Sequence, residues 1–207
     1  MTKRNTGRFI LAVITLIVLL FGWKYRVLGW IVPAAMGAGV LGVILFGNRF
    51  VCGHLCPRGA FLDIFVSKAA AKKSAPEFVH GPALKITVLV GFAAFFFFNL
   101  YKLPDYSLLP VLFWKMCLIT TLIGLLLAFF INERAWCMIC PIGTFEGFLR
   151  RENKLLHVGG GCISCGKCDK TCPTKIKPGG FKGGRITHLN CIACGQCKNV
   201  CPVKVIK

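Results

Sequence analysis

Thirteen cysteines in 207 residues are the groups in this chain best suited to chemistry. Eight of them fall within the last 46 residues, Cys162 to Lys207, in two matching runs. Cys162, Cys165, Cys168 and Cys172 precede Pro173; Cys191, Cys194, Cys197 and Cys201 precede Pro202. Both runs read C-x2-C-x2-C-x3-C-P. Soft thiolates at this spacing wrap a loop around the corners of an iron–sulfur cube. Structural zinc sites usually pair two C-x2-C units instead. Disulfides suit an oxidising compartment, which the charge distribution described below argues against. A segment this short is too small for a sizeable apolar core, and metal ligation can stand in for one.

The doubled run resembles the two-cluster bacterial ferredoxins from Cys162 to Pro202. That resemblance implies crossed ligation, because the fourth cysteine of each run serves the other cluster. Cys162, Cys165, Cys168 and Cys201 are then expected to hold one 4Fe–4S cluster. Cys191, Cys194, Cys197 and Cys172 are expected to hold the second.

Four more cysteines stand in an internal repeat. Asn48-Arg49-Phe50-Val51-Cys52 leads to Cys56-Pro57-Arg58-Gly59-Ala60-Phe61, and Glu133-Arg134-Ala135-Trp136-Cys137 leads to Cys140-Pro141-Ile142-Gly143-Thr144-Phe145. Cysteines three or four apart on a helix share a face, so each pair is expected to present two sulfurs to one point. Two chemistries are open. Four converging thiolates suit a further iron–sulfur or soft-metal centre, while each pair alone suits a redox dithiol. The bland alternative is small buried side chains beside a helix-starting proline. Arg49 and Arg134 are candidates to stabilise thiolates or a quinone oxygen. His54 is a candidate metal ligand or proton acceptor, since histidine titrates near neutral pH. Lys115, the one charge expected inside a span, is read as snorkelling to the outer interface. Cys117 is read as packing.

These residues need elements to hold them. The chain is 56% hydrophobic with a mean hydropathy of +0.68, too apolar for an ordinary soluble domain. Four apolar stretches are expected to span a membrane: Phe9 to Trp23, Val27 to Gly47, Leu84 to Tyr101, and Leu108 to Ile131. Small residues at Ala34, Ala38 and Gly42, beside Ala35 and Gly39, predict close packing of the second span, and Pro33 predicts a kink near its outer end. Phe61, Ile64 and Phe65, followed by Lys68, Lys72 and Lys73, predict a helix lying on the membrane surface. With the N-terminus inside, 22 Lys and Arg fall on the cytoplasmic side against Lys24, Arg26 and Lys102 outside. That asymmetry predicts both termini in the cytoplasm. The net charge of +19 is offset by about −4 if two clusters bind. The remaining excess points to a lipid surface or an acidic partner, and not to nucleic acid, whose binding motifs are missing. The reading is a membrane α-helical fold: 1–150 as a four-helix transmembrane domain in two pseudo-repeats, and 151–207 as a small α+β two-cluster ferredoxin domain.

Taken together, the repeat and the doubled cluster run resemble membrane ferredoxin-type proteins of the NapH/MauN kind. One departure is the second motif, C-x2-C-P where the first is C-x3-C-P. The resemblance implies a multi-pass protein of the bacterial or archaeal cytoplasmic membrane. Its implied work is passing electrons between quinone or quinol and a respiratory or periplasmic redox system with cytochrome or oxidoreductase subunits, as part of a quinol dehydrogenase or respiratory oxidoreductase complex. Two other readings are a copper-handling metal reductase or assembly factor, and a membrane anchor for a larger redox complex. A transporter is disfavoured, since the spans offer so little buried charge.

Overall fold

The structure is a computed structural model that describes residues 3–71, 73 and 76–207. Helix α1 covers Lys3–Phe21, and a 3-10 turn, Arg26–Trp30, leads into α2, Ile31–Phe46. Pro33 lies in the first turn of α2, where its missing N–H is one of the orphans of a helix start, so the helix begins there. Gly47 ends α2 in a left-handed conformation, φ 70°. Two short helices follow, α3 (Phe50–His54) and α4 (Pro57–Phe61), and then a π-turn over Leu62–Val66. Beyond α5 (Glu77–His80) come two long apolar helices, α6 (Pro82–Tyr101) and α7 (Leu109–Phe130). The second repeat gives α8 (Ala135–Ile139) and α9 (Pro141–Leu149). The cysteine-rich end carries α10 (Lys167–Thr171) and α11 (Gln196–Asn199).

Among the described residues three segments are long and apolar enough to cross a membrane: Arg26–Phe46, Pro82–Tyr101 and Tyr106–Phe130. The first expected span appears as a shorter apolar helix, Thr6–Phe21. Large apolar side chains on these helices face outward, among them Leu41, Leu45, Val90, Phe97, Leu126 and Phe130. Such a band is what a lipid-facing bundle presents and a water-soluble surface avoids.

The segment after Phe61 differs from the surface helix expected of it. Phe61, Leu62 and Val66 are buried with Ala12 of α1 and Ala128 of α7. Packing against two apolar helices removes more surface from water than an interfacial position would, so Phe61, Leu62 and Val66 turn inward, while Phe65 stays exposed as expected of a surface face. Lys72, one of the lysines expected along that face, lies outside the described residues. The small-residue stripe of α2 also finds a different partner. A Cβ on Gly39 would meet Glu146 of α9, and one on Gly42 would meet Val51 of α3. The close approach is to the membrane-edge helices, not to another long span.

The cysteine-rich end has its own core of Val158, Ile176, Ile186 and Ile206 around Cys168, Cys172 and Cys197. Its extended parts meet only as isolated bridges, His157 with Arg185 and Val158 with Lys182 and Ile206, in place of a strand ladder. The two runs are near-copies in backbone. Ser164 and Ala193 have φ of 53° and 49°, Gly166 and Gly195 of 70° and 71°, and Lys175 and Lys204 of 52° and 49°.

Candidate functional site

Within each membrane-edge repeat the first cysteine ends up on one short helix and the second caps the next. Cys52 lies in α3 and Cys56 precedes Pro57; Cys137 lies in α8 and Cys140 precedes Pro141. The paired sulfurs therefore do not share one helical face, as the spacing alone suggests. A proline disfavours the α conformation for its predecessor. Cys56 accordingly sits at φ −64°, ψ 115° and Cys140 at φ −55°, ψ 126°.

The four thiols nevertheless form one electrostatic neighbourhood. Burial pushes the Cys52 thiol well above its usual value, Arg49 pulls it down, and Cys56 and Glu146 push it up again. Cys56 is raised by burial and by Cys137 and Cys140. Arginines stitch the site together across the repeat. Arg58 donates to Cys140 Sγ (3.5 Å) and to Thr120 Oγ1 (2.6 Å), with its guanidinium 5.2 Å from the Trp136 ring. Arg134 donates to Cys137 Sγ (3.7 Å) and grips Asp63 with two bonds of 2.8 and 2.5 Å. Arg8 is a second ion-pair partner of Asp63. Burial opposes charge on Arg134, but Cys137 and Asp63 overcome it and hold the guanidinium above its ordinary pKa.

The crossing is reciprocal. Arg134 of the second repeat lies against Gly59 of the first, where a Cβ would stand 2.7 Å from Nη1. Arg49 of the first repeat lies against Gly143 of the second. Only glycine leaves room for a guanidinium at either place. Arg49 Nε stands 3.9 Å from Glu146 Oε2, and both residues are almost wholly buried. Among the described residues neither carboxylate oxygen of Glu146 has a conventional hydrogen-bond partner, though the Arg49 guanidinium and the Cys52 thiol both bear on it.

Arg49 also ties the repeat to the cysteine-rich end, donating to the Leu189 carbonyl at 2.9 Å. Arg150 donates to the His188 (2.7 Å) and Thr187 carbonyls. Together they clamp the backbone that leads into Cys191. Gly53, between Cys52 and Cys56, is pressed onto the next loop: a Cβ there would collide with the Ile192 carbonyl and lie 3.3 Å from Cys194 N and Cα.

In the cysteine-rich end, a cavity of about 70 Å³ is lined by Cys162, Cys165, Cys168 and Cys201. The fourth lining thiol thus comes from the second run. Conversely, burial and then Cys191, Cys194 and Cys172 push the Cys197 thiol up to about 12. A bound cation displaces the proton of such a thiol and stabilises the thiolate, and the donor set fits a thiolate-held iron–sulfur group. Among the described residues no three His, Cys, Asp or Glu side chains converge as ligands of a single ion would. The corners of a cube hold their thiolates further apart than that.

A larger cavity, about 330 Å³, lies between the two halves. Arg8, Asp63, Asn132, Glu133 and Arg134 line one wall, and Lys170, Lys175, Cys172 and Cys194 the other. His54 does not line it: the ring stacks on Phe50 at 4.2 Å, with Nδ1 3.1 Å from the Phe50 carbonyl. Lys115 is exposed on α7, and Cys117 packs beside Thr121. Arg58, Asp63, Glu146, Gly53 and the buried Lys85, which donates to the His80 carbonyl at 2.9 Å, received no role from the sequence. A signal existed for the acids. The chain has only seven, and Asp63, Glu133 and Glu146 all fall beside the repeat motifs.

Comparison with known proteins matches the same stretches of the chain. A family model described as a 4Fe-4S binding domain matches residues 28–76 and 114–158, which are the two membrane-edge repeats. A second 4Fe-4S binding domain model matches 186–207, which holds the second cysteine run. Methylamine utilization ferredoxin-type protein MauN of Paracoccus denitrificans is 29% identical over 166 residues, 70% of this chain and 56% of that protein. MauN of Methylobacillus flagellatus is 29% identical over 150 residues, 62% of this chain and 50% of that protein. The chain thus spans about half the length of the curated relatives it matches. No solved structure matches.

Proposed function

The chain is an iron–sulfur electron-transfer protein of the NapH/MauN ferredoxin type, and from that premise we propose that it connects the quinone pool to a redox partner through two 4Fe–4S clusters. Cys162, Cys165, Cys168 and Cys201 hold cluster 1, and Cys191, Cys194, Cys197 and Cys172 hold cluster 2. Residues 1–150 form a domain of four spans with both termini in the cytoplasm, and 151–207 form the ferredoxin domain. Cys52, Cys56, Cys137 and Cys140 act as one redox site at the membrane edge, as a further iron–sulfur centre or as two dithiols. A quinone headgroup takes the cavity beside Arg134 and Asp63, where a guanidinium can polarise a quinone oxygen. The clusters, when bound, supply one-electron carriers; the protein's own groups set their spacing and surroundings.

The observation that carries this reading is the seat of Gly53. The residue between Cys52 and Cys56 lies in contact with the Cys191–Cys194 loop. On this reading, that contact supports cluster 2 as the one next to the membrane edge, with cluster 1 distal. A chain of centres in that order needs no haem in the spans.

Iron and sulfide analysis of the purified chain, with electron paramagnetic resonance after reduction, tests it. Two clusters correspond to about eight iron atoms per chain and a third raises the count to about twelve. Cys172→Ser is expected to disturb the second-run cluster; disturbance of the first-run signal alone refutes the crossed assignment. Cys52→Ser and Cys137→Ser are each expected to slow reduction of both clusters by a quinol analogue while sparing the two ferredoxin signals. Gly53→Val, which inserts bulk against the Ile192 carbonyl, is expected to slow the same step without removing a ligand. Wild-type turnover in all three variants would leave the membrane edge a structural tether.

A further inference from the structure

The near-identity of the two cysteine runs allows their surroundings to be compared position by position, 29 residues apart. Ile192, after the first cysteine of the second run, is 2% exposed, and its carbonyl lies under Gly53 of α3. Its counterpart Ile163 is 60% exposed. Thr174, two residues after Cys172, is 1% exposed, and its counterpart Val203 is 41% exposed. Cys165 is exposed as well, whereas its counterpart Cys194 lines the cavity between the two halves of the chain. One backbone motif therefore appears twice, once covered by the membrane-edge repeat and once bare. The covered copy displays the kind of contact this motif makes when a neighbour seats on it: an apolar residue after the first cysteine buried under a close backbone approach.

The charge around the bare copy selects the neighbour. Residues 162–207 contain nine Lys and Arg against one acid, Asp169. Asp169 is already engaged, accepting a bond from the Gly179 N–H at 2.8 Å. Lys167 and Lys204, beside Ile163 and Val203, are both exposed. Two clusters remove about four of the surplus positive charges and leave the cysteine-rich end basic as a whole. An apolar centre with exposed thiolate ligand and a basic rim is complementary to an acidic surface with an apolar centre of its own.

We propose that the face formed by Ile163, Cys165 and Val203, rimmed by Lys167 and Lys204, docks an acidic one-electron carrier protein, which exchanges electrons with cluster 1. The inference rests on the iron–sulfur reading above and specifies its distal partner. One electron crosses per encounter. The cluster changes its core charge by one unit, the carrier changes by one in the opposite sense, and no bond forms or breaks.

The test is stopped-flow electron exchange between the reduced, full-length chain in nanodiscs and an acidic flavodoxin as probe, with iron per chain measured for every sample. The second-order rate is expected to fall about tenfold or more between low and high salt. Ile163→Glu and Lys204→Glu, at full iron content, are each expected to lower the low-salt rate about fivefold or more. Lys182→Glu, away from the cavity, is expected to stay within about twofold. Rates indifferent to salt and to both variants at intact iron content overturn the docking face alone. A self-associating chain whose dimer is broken by Ile163→Glu assigns the face to a second copy and also overturns it. A wild-type chain without cluster signals overturns the iron–sulfur reading, and this inference with it.

Discussion

Arg49 joins three parts of the molecule through one guanidinium. It starts α3, faces Glu146 of the second repeat, and donates to the Leu189 carbonyl ahead of Cys191. A buried ion pair adds little net stability beyond an apolar pair of the same size, but removing one partner strands the other. Arg49→Ala is therefore expected to cost about 3–5 kcal/mol, because Glu146 is left charged and unpaired in the interior. Arg49→Lys is expected to rescue little, since an ammonium cannot serve a carboxylate and a carbonyl in the same planar fork. Thermal unfolding in detergent, followed with limited proteolysis near Arg150, separates lost docking from global collapse. If Arg49→Ala melts like the wild type, the pair is not a stabilising link. Arg134 is the counterpart in the other repeat, but its acid stands one position further along. Asp63 is two residues past Phe61, and Glu146 one past Phe145. The π-turn at Leu62–Val66 lies where that offset is taken up.

Among the elements, the seam between the α5–α6 turn and residues 187–190 carries a pH dependence. His188 meets His80 edge-on at 5.5 Å, and His80 Nδ1 is 3.1 Å from Asn190 Nδ2. The Asn190 N–H donates to His188 Nδ1 at 3.1 Å, which requires that nitrogen to be unprotonated. Burial first, then Lys85, His80 and Arg150, pull the His188 pKa down to about 4. An unfolded histidine titrates near 6.5. The unfolded chain therefore binds the extra proton first as pH falls, and stability drops from about pH 6.5 towards about pH 4. His188 is partly exposed, so solvent screens part of the effect. His188→Gln is expected to flatten the melting temperature between pH 7 and pH 5 relative to the wild type. An equally steep decline in the variant assigns the acid sensitivity to other groups.

At the scale of the whole chain, membrane orientation is governed by charge and burial by apolar length. Arg26–Phe46, Pro82–Tyr101 and Tyr106–Phe130 each reach the length a bilayer requires, and Thr6–Phe21 falls a little short of it. Helix α1 is held all the same by contacts of its own: Ala12 is buried in the core with Phe61 and Ala128, and the Val18 carbonyl accepts a bond from Trp114 Nε1 at 3.0 Å. A helix anchored on two neighbours can cross with a short apolar run if its flanking residues reach the interfaces. If the proposed topology holds, a fluorescent protein fused after Lys207 is expected to be bright, and alkaline phosphatase at the same point inactive, because the 22 basic residues counted on that side favour the cytoplasm. An active phosphatase there reverses the topology and places the cysteine-rich end outside.

What the sequence determined by itself is the chemistry that local spacing encodes. Two C-x2-C-x2-C-x3-C-P runs carry an iron–sulfur signature in the covalent chain, and apolar length marks a candidate spanning helix before anything folds around it. The repeat was legible too, because Arg, the cysteine pair, Pro, Gly and Phe recur in order. Only tertiary structure decided what those motifs touch. Pro57 and Pro141 split each cysteine pair between two helices, so the thiols act on one another across the repeat and not along one helix. Arg58 reaches Thr120 and Cys140, residues 62 and 82 positions away. Gly53 is small for the sake of a carbonyl 139 residues further on, at Ile192. Contacts over such separations are fixed by how helices pack, and packing depends on the shape of the whole core, which no local spacing contains.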